Sequence, residues 1–577
     1  MKAVAELLQA IYGPETARQW LPKLTALIEA ERLAAPCRQP GGRAVLTERD
    51  ALLITYADQV TAPGQSPLAC LREFARQNLK NLVSGIHLLP FYPFSSDDGF
   101  SVMDYYAVHP DFGAWEDVRR LGQDFDLMFD AVFNHLSAQG EWFGKFLAGD
   151  PAFRDFFVTV VGNPDLSRVI RPRALPLLTE FSGAAGPLKV WTTFSADQVD
   201  LNLRHPPVLL ELIKVLLFYI RQGARFIRLD AIAFLWKEIG TSCLHLRQTH
   251  QIIQLFRAVL DELYPAAVLI TETNVPHRDN ISYFGDGRNE AQLVYNFALP
   301  PLTLHAAQTG DAAALTRWAA ALEFPSAETT YFNFLASHDG IGLNPARGLL
   351  SEAEIGALVQ RTLERGGLIS YKHNPDGSRS PYELNITWFD ALNPPEAPEP
   401  VESQVRRFMV TQAIMLALRG VPGVYFHSLF GSRNDRAAAD SSGIPRRINR
   451  QKFSRSRLER ELAEAGSVRA RVFAAYQQLL RARSAHPAFS PVALQEVVEA
   501  DRRAFCFWRV AAGGAGRVLC AHNVSGQRVQ LRVPAASPPG ARFGDLAGQG
   551  ECAAGPEGLL EFALEPWQTR WLAAASG

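Results

Sequence analysis

Short apolar segments rich in β-branched and aromatic residues recur along this chain of 577 residues, and a loop and a helical pattern follow most of them. Eight such segments are candidate strands, at 52–58, 85–93, 125–133, 224–232, 266–273, 292–297, 329–337 and 420–427. Strands that alternate with helices predict a parallel sheet. Because most of these segments are apolar nearly throughout, the sheet should be buried on both faces.

Eight strand–helix units predict an α/β fold of the (β/α)8 (TIM) barrel type. In such a barrel, side chains at the carboxyl ends of the strands carry the chemistry. An open, doubly wound sheet is the alternative. That fold would place a glycine-rich phosphate loop after the first strand, and the sequence after ITYADQV (54–60) shows none.

The chain divides into three predicted parts. Residues 1–50 form a helical segment, residues 51–490 hold the barrel, and residues 491–577 show the short alternating strands of a C-terminal antiparallel β-domain. Two connections within the barrel, at about 135–205 and 340–400, are too long for simple crossovers. Long loops on the active face of a barrel usually shape the substrate pocket.

Composition narrows the range of functions. The formal net charge is −1, whereas nucleic-acid-binding proteins usually carry a basic excess, so nucleic acid is not an expected partner. No uncharged run is long enough to cross a bilayer, and Glu6 interrupts the apolar start of the chain, so we expect neither a membrane span nor a signal peptide. The cysteines form no CxxC pair or Cys/His cluster, which indicates free thiols and a cytoplasmic location; they are Cys37, Cys70, Cys243, Cys506, Cys520 and Cys552.

Polar side chains collect where the predicted strands begin or end. They are Asp58, His87, Asp130, Asn134, His135, Arg228, Asp230, Glu272, His338 and Asp339. A carboxylate in a buried strand is costly unless it is paired or hydrogen-bonded. Arg228 beside Asp230 would by itself suit a structural ion pair, but several such groups at one barrel mouth indicate an active site.

Four segments then carry a family resemblance. DAVFNH (130–135), RFIRLDA (225–231), ITETN (270–274) and FLASHD (334–339) resemble, in this order, the four signature regions of the α-amylase family, glycoside hydrolase family 13. Each motif alone is weak, whereas four in sequence at predicted strand ends are specific. The resemblance covers about residues 50–577.

The resemblance implies a retaining reaction on an α-glucoside with three catalytic carboxylates. Asp230 matches the nucleophile that attacks the anomeric carbon, and Glu272 matches the group that first protonates the leaving oxygen. Asp339 matches the carboxylate that holds sugar hydroxyls and stabilises the transition state. Arg228 should keep Asp230 ionised by its opposite charge, and Glu272 should have a raised pKa so that it starts protonated.

Histidines are matched to substrate binding. His135 and His338 correspond to donors to sugar hydroxyls in the family. His87 is a third candidate, for which a satisfied core histidine is the alternative.

A departure from the family pattern sets the subtype. Chain-degrading amylases commonly carry Lys-His three and four residues after the nucleophile, and here Ala233 and Phe234 stand there. The segments SADQVDLN (195–202), SHDGIG (337–342) and GVPGVYFHSLFGSRND (420–435) resemble the sucrose phosphorylase branch. In that branch Asp58 and Arg446 would grip the far hydroxyls of the bound glucose, and Gln198 would lie near the glucosyl site.

That branch implies reversible phosphorolysis without a cofactor, with a small α-glucoside and inorganic phosphate as partners and α-glucose 1-phosphate as product. The insertion at 340–400 resembles relatives that use glucosylglycerate, glucosylglycerol or sucrose 6-phosphate, and glucosylglycerate is the first choice ahead of these and sucrose. An anionic aglycone would suit pairing with arginines, although surface loops carry arginines routinely; the candidates are Arg168, Arg171, Arg173 and Arg347.

Other functions stay open at this point. A hydrolase or transglucosidase would use the same carboxylates with water or a sugar as acceptor. A non-catalytic relative would be expected to have lost them. No calcium ligand set can be assembled, and Asn134 is interpreted as a support of the active site rather than a metal ligand. The oligomeric state is not readable, and a homodimer is one option.

Overall fold

Eight parallel strands close into a barrel in the computed structural model, which describes residues 1–34, 43, 45–172, 176–374, 378–395, 398–514, 516–535, 537–548 and 550–574. The strands are β1 Leu52–Thr55, β2 Gly85–Leu88, β3 Asp126–Ala131, β4 Ala224–Leu229, β5 Val268–Thr271, β6 Leu293–Tyr295, β7 Thr330–Asn333 and β8 Val421–Tyr425. Each strand pairs with the next in sequence, and β1 closes the barrel on β8 with Leu52 opposite Gly423. The predicted (β/α)8 fold is confirmed.

Every barrel strand lies within the segment predicted for it and ends before that segment does. The first residues beyond a strand still follow the sheet. Asp230 and Glu272 directly follow β4 and β5, and their N–H groups donate to the carbonyls of Ala131 and Leu229 at 3.2 and 3.1 Å. Backbone bonds of this kind fix both carboxylates at the rim of the barrel.

Helices and short turns connect the barrel strands and cover the outside of the barrel. Serine and proline begin several of them: Ser66 caps the helix Pro67–Asn78, and Pro206 opens the helix Pro206–Arg221. The other helices are Trp115–Leu121, Arg247–Leu263, His277–Asn280, Leu299–Thr309, Ala313–Ala320, Val401–Ala417, Phe426–Leu429, Arg436–Ser442, Arg455–Ala463 and Val468–Ser484. Short 3-10 turns span Asp97–Gly99, Ile232–Phe234, Ile281–Phe284, Asn344–Ala346, Pro445–Asn449, Pro487–Phe489 and Ala512–Gly514.

An N-terminal helical hairpin packs on the outside of the barrel. Its helices are α1 Lys2–Tyr12 and α2 Pro14–Ala34, and they contact the helices Pro206–Arg221 and Arg247–Leu263. The buried carboxylate of Glu31 pairs with Arg221 and accepts a hydrogen bond from Tyr264 at 2.6 Å. Helix therefore runs to residue 34 of the segment predicted as 1–50; residues 35–42 and 44, with Cys37, lie outside the described residues.

Two excursions leave the barrel where the long connections were predicted. The first holds strands His135–Ser137, Leu178–Gly183, Gly186–Trp191 and Gln198–Asp200 and the helix Glu141–Leu147. The second holds the helices Glu352–Glu364 and Trp388–Leu392 and a three-stranded sheet of Ile341–Gly342, Arg379–Asn385 and Leu368–His373. Because they follow the ends of β3 and β7, both excursions stand on the carboxyl face of the barrel.

The C-terminal region folds as antiparallel sheet. Strands Leu494–Val498, Ala504–Val510, Arg517–Asn523, Thr569–Ala574, Arg542–Asp545 and Glu551–Ala553 form one sheet in that order, and Val529–Pro534 pairs with Leu559–Leu564. Trp508, Leu531 and Phe562 belong to the core between them. A two-stranded pair, Val60–Thr61 with Phe453–Ser454, lies beside the barrel.

Five of the six cysteines lie within the described residues. Cys70, Cys243, Cys506, Cys520 and Cys552 are unpaired thiols. No helix among the described ranges combines the length and the apolar character needed to cross a membrane.

Candidate active site

A cavity opens at the carboxyl ends of the barrel strands, where the fold predicts the chemistry to lie. Its lining includes eight of the ten catalytic and substrate-binding residues predicted from the sequence: Asp230, Glu272, Asp339, His135, Gln198, Arg228, His338 and Arg446. Residues that were not predicted complete the described lining: Asp97, Phe100, Pro172, Phe194, Ala231, Asn274, Phe297, Tyr382 and Glu383.

The floor of the cavity is a chain of buried charges. Arg228 on β4 lies opposite Asp130 on β3, so the register of the two strands brings their side chains together. The Arg228 guanidinium contacts Asp130 and reaches Asp230 Oδ1 at 2.8 Å. Asp130 in turn contacts His87 Nε2 at 2.7 Å, and His87 and Asp130 are fully buried. This network fixes the Asp230 carboxylate from below.

Asp230 and Glu272 face the cavity as a coupled pair of carboxylates. Burial raises the pKa of both groups, and for Asp230 the charge of Glu272 adds to the effect. Arg228 opposes the rise but does not cancel it, so the charge of Arg228 alone does not secure the ionisation that the sequence predicts for Asp230. Arg228 lies 2.8 Å from Asp230 and 3.9 Å from Glu272, which favours the charge on Asp230 and the proton on Glu272.

A residue in the left-handed helical conformation orients Glu272. Ala231, directly after Asp230, has φ 47° and ψ 32°, a conformation uncommon for a residue other than glycine. In this conformation its N–H donates to Glu272 Oε2 at 2.9 Å. The turn after the β4 strand thus holds the carboxylate at the end of β5.

Asp339 faces the same cavity in a strongly cationic setting. Arg446 lies 2.7 Å from Asp339 Oδ1 and 2.7 Å from Glu383, and His338 Nε2 lies 3.3 Å from the other Asp339 oxygen. Although burial opposes it, Arg446 and the neighbouring cations hold the pKa of Asp339 well below its usual range. Asp339 is therefore ionised at neutral pH, as a group that stabilises a positively charged transition state must be.

The histidines and Gln198 form one wall. His135 Nε2 donates to the carbonyl of Phe100 at 3.0 Å, and burial lowers the pKa of His135 to about 4, so the ring is neutral at neutral pH. The rings of His338 and Phe100 stack at 4.6 Å with an interplanar angle of 4°. Gln198 Nε2 donates to Asp97 Oδ2 at 3.3 Å. A flat aromatic face beside hydrogen-bonding groups suits a single sugar ring.

Two predicted residues lie elsewhere. His87 sits beneath the floor, where it supports Asp130 and does not line the cavity. Asp58 lies in a neighbouring cavity and forms an ion pair with Lys452 at 2.5 Å, and its predicted grip on the sugar stays a prediction. Asp97, from the SSDDGF stretch after β2, lines the cavity instead, and its negative charge acts on Arg446. Two adjacent aspartates before Gly99 were the signal available in the sequence.

An aromatic pair follows the β4 strand at the edge of the cavity. Ala233, at the position where the family often has lysine, is buried, and the Phe234 ring meets Phe194 edge-on at 5.5 Å. Phe194 lines the cavity. Of the arginines considered for an anionic aglycone, Arg168 and Arg171 are exposed, Arg347 pairs with Glu352, and Arg173 lies outside the described residues.

Asn134, predicted to support the site, contacts a buried lysine. Lys237 Nζ donates to Asn134 Oδ1 at 2.6 Å and lies 2.7 Å from Asp200 Oδ2. The Asn134 amide also donates to Asp200 at 3.1 Å and lies 3.3 Å from His135 Nδ1. An ammonium group therefore joins the loop after β3, the first excursion and the segment after β4.

This chain is similar to known proteins over most of its length. The model of the α-amylase catalytic domain matches residues 77–342. The chain is 51% identical to glucosylglycerate phosphorylase of Spirochaeta thermophila over 523 residues, 90% of this chain and 88% of that protein. It is 55% identical to glucosylglycerate phosphorylase of Allomeiothermus silvanus over 461 residues, 80% of this chain and 82% of that protein.

The chain belongs to the α-amylase family. Its sucrose phosphorylase-like branch, predicted from the motifs, is confirmed by relatives that include a sucrose phosphorylase of Agrobacterium vitis, 30% identical over 76% of this chain and 88% of that protein. The crystal structure of sucrose 6F-phosphate phosphorylase from Thermoanaerobacter thermosaccharolyticum shares the fold, with a TM-score of 0.73 at 22% identity over 88% of this chain and 98% of that one. In this α-amylase family member, the four signature motifs meet at one barrel mouth.

Proposed function

We propose that this protein is a glucosylglycerate phosphorylase, which transfers the glucosyl group of 2-O-α-glucosylglycerate to phosphate and runs the reaction in reverse. The observation that carries the aglycone is the identity of 51% and 55% to relatives of that name over most of the chain. The cavity supports the chemistry because Asp230, Glu272 and Asp339 face one another there. A retaining glycoside-processing enzyme needs such carboxylates.

In the first step, an ionised oxygen of Asp230 attacks the anomeric carbon while the glycosidic carbon–oxygen bond breaks. Glu272 donates its proton to the departing oxygen, so glycerate leaves with its hydroxyl group restored. The glucosyl group stays as an ester of Asp230. Asp339, held ionised by Arg446, stabilises the positive charge that develops on the sugar ring.

In the second step, a phosphate oxygen attacks the same carbon from the side that the aglycone left. The ester bond to Asp230 breaks, Asp230 regains its negative charge, and Glu272 accepts the proton from the phosphate hydroxyl group. Two inversions at one carbon give retention, so the product is α-glucose 1-phosphate. The aromatic wall of Phe194 and Phe234 borders the acceptor side, where a polymer-degrading enzyme would hold another sugar.

A phosphorolysis screen tests this function. Glucosylglycerate, glucosylglycerol, sucrose 6-phosphate and sucrose are each incubated with phosphate, and α-glucose 1-phosphate is followed. Glucosylglycerate should give the highest kcat/KM. Asp230→Asn should abolish turnover, whereas Asp440→Asn, at an exposed helix position, serves as the matched control.

Two results would contradict the proposal. Glucose release at an equal rate without phosphate would make the protein a hydrolase. A higher kcat/KM for sucrose or for glucosylglycerol than for glucosylglycerate would assign a different aglycone. A homodimer and a cytoplasmic location stay predictions from the sequence.

A further inference from the structure

Within the described residues that line the active-site cavity, each arginine is already paired with carboxylates. Among the described lining residues, five are carboxylates, namely Asp97, Asp230, Glu272, Asp339 and Glu383. Arg228 and Arg446 are the cations of that lining, and both are paired with carboxylates. Glycerate and phosphate are anions, so a cation set back from this lining is needed to attract them.

A pair of cations stands nearby on the second excursion. Lys372, on the strand Leu368–His373, donates from Nζ to Asn344 Oδ1 at 3.2 Å. Arg347 follows in the same turn as Asn344 and pairs through Nη1 with Glu352 at 2.5 Å. Asn344 itself lies just beyond the short strand Ile341–Gly342, which follows Asp339 in the chain. The cluster is therefore joined to the active site by a few residues of backbone.

The register of the sheet turns Lys372 toward the cavity side. Ser370 lies directly opposite Glu383 in the antiparallel pair, and opposite residues share a face. The pairing shifts between Ser370 and Tyr371, with the extra residue on the strand Arg379–Asn385, so Ser370 and Lys372 keep the alternation of their own strand and share a face. Glu383, opposite Ser370, lines the cavity and binds Arg446, which in turn binds Asp339. Lys372 is not among the described lining residues, and it lies on the side of the hairpin that carries Glu383.

The local electrostatics favour an added anion. Burial and the positive charge of Arg347 lower the pKa of Lys372, and Glu352, whose side chain is 75% exposed, is the carboxylate that opposes them. The hydrogen bond of Lys372 goes to a neutral amide. The Nε atom of Arg347 is buried and has no hydrogen-bond partner. An anion placed beside the two cations would relieve their mutual repulsion and add a charge-assisted hydrogen bond.

We infer that Lys372, positioned by Asn344 and assisted by Arg347, binds the carboxylate of the acceptor and selects glycerate over neutral acceptors such as glycerol. This inference rests on the proposed function, because it assigns the residue that recognises the acid group of that aglycone. No sequence motif marks this lysine, and the chain's other candidates for the role were arginines.

Geometry favours the carboxylate over phosphate as the partner of Lys372. Phosphate must place one oxygen on the anomeric carbon, so its other oxygens stay two bonds from the reacting oxygen. The carboxylate oxygens of 2-O-glucosylglycerate lie three bonds from that same oxygen and extend farther from the sugar. A cation set back from the cavity lining therefore reaches the carboxylate better.

The test compares Lys372→Met with Lys214→Met, a control on an outer helix where the lysine pairs with Glu211 at 2.8 Å. In the direction of synthesis from glucose 1-phosphate, Lys372→Met should raise the KM for glycerate by about ten-fold or more, the usual effect of losing a bond to a charged group. The KM for phosphate and the use of glycerol as acceptor should stay within about two-fold. Lys372→Arg should keep most of the glycerate affinity, and Arg347→Gln should weaken it less than Lys372→Met.

Each contrary outcome has its own meaning. An unchanged KM for glycerate in Lys372→Met, with glucosylglycerate still the preferred substrate, overturns this inference and leaves the proposed function standing. An equal rise for phosphate and glycerate also overturns it, because the lysine would then not select the acceptor. If Lys372→Met does not fold, a KM for glycerate unchanged in Arg347→Gln and raised in Lys372→Arg refutes it. A wild-type protein that ignores glycerate refutes the proposed function and this inference together.

Discussion

Lys237 is a fully buried lysine whose removal should weaken both the fold and the catalysis. Its ammonium group joins Asn134 Oδ1 at 2.6 Å to Asp200 Oδ2 at 2.7 Å. Asn134 precedes His135 of the cavity, and Asp200 ends the strand that begins with Gln198. Lys237→Met keeps most of the volume of the side chain and removes its charge, so it isolates the electrostatic role.

The structure sets the expected size of the effect. Removing one partner of a buried ion pair costs about 3–5 kcal/mol, because the remaining charge is left uncompensated. Asp200 keeps hydrogen bonds from the Thr193 N–H at 2.9 Å, from the Thr193 hydroxyl at 2.6 Å and from Asn134 at 3.1 Å. We therefore expect the lower end, about 3 kcal/mol, which is roughly a 100-fold change in the unfolding equilibrium constant.

The assay is thermal unfolding together with kcat/KM for glucosylglycerate. Lys189→Met is the matched control, since Lys189 lies on the same excursion but is only partly buried and donates to Asn163 at 2.8 Å. The double variant Lys237→Met with Asp200→Asn removes both charges. It should recover most of the lost stability, because it leaves no unpaired buried charge.

An unfolding temperature of Lys237→Met equal to that of Lys189→Met would refute the reasoning. So would a double variant less stable than Lys237→Met, because the penalty would then not come from the stranded charge of Asp200. A loss of stability without any change in kcat/KM would show that Lys237 stabilises the fold but does not help to position His135.

Three further predictions concern the Asp230 carboxylate, the turn at Gly99 and the buried side chain of Arg483. Burial raises the pKa of both Asp230 and Glu272, so the folded pair holds more protons than the unfolded one, and the pair's contribution to stability, full below the unfolded pKa values, is lost as pH rises through the folded ones. Asp230→Asn should therefore raise the unfolding temperature more at about pH 9 than at about pH 6, while kcat falls by about 10⁴-fold or more; an equal effect at both pH values would contradict it. Gly99 has φ +114°, and a Cβ there would lie 2.6 Å from the Pro90 carbonyl, so Gly99→Ala should shift the turn of Asp97 and lower kcat/KM by about ten-fold or more, as steady-state kinetics would show. Arg483 is buried and donates to the carbonyls of Leu416, Asp50 and Gly420 at 3.0, 3.1 and 3.3 Å; Arg483→Met should cost about 3 kcal/mol or more in thermal unfolding, relative to the exposed Arg481→Met.

Local pattern was enough to predict the barrel. Each of the eight strands is a short apolar run between loops, and such a run can be recognised without knowing what packs against it. The candidate catalytic carboxylates were recognised from motifs that resemble those of the α-amylase family and that stand at the predicted strand ends. Asp230 and Glu272 directly follow their strands, and a residue at that position must face the barrel mouth.

Contacts between distant parts of the chain decided which other charged residues lie at the cavity. Asp58 and Asp97 both come soon after a barrel strand, but only Asp97 lines the cavity, while Asp58 pairs with Lys452. The neighbouring Asp98 pairs with Arg447, 349 positions along the chain, and that contact brings the turn of Asp97 beside Arg446. Glu383 reaches the cavity from a β-hairpin of the second excursion, and no sequence motif in that hairpin predicted it.

The sequence by itself determined the (β/α)8 barrel, because period and strand position are properties of short segments, and its four motifs carried the resemblance that named the family and the three candidate carboxylates. Only the tertiary structure decided which charges meet: the burial that raises the pKa of Asp230 and Glu272, the Arg446 bridge between Asp339 and Glu383, and the hydrogen bond of Lys372 to Asn344. Burial and pairing across hundreds of residues set those energies, and neither is written in any one segment.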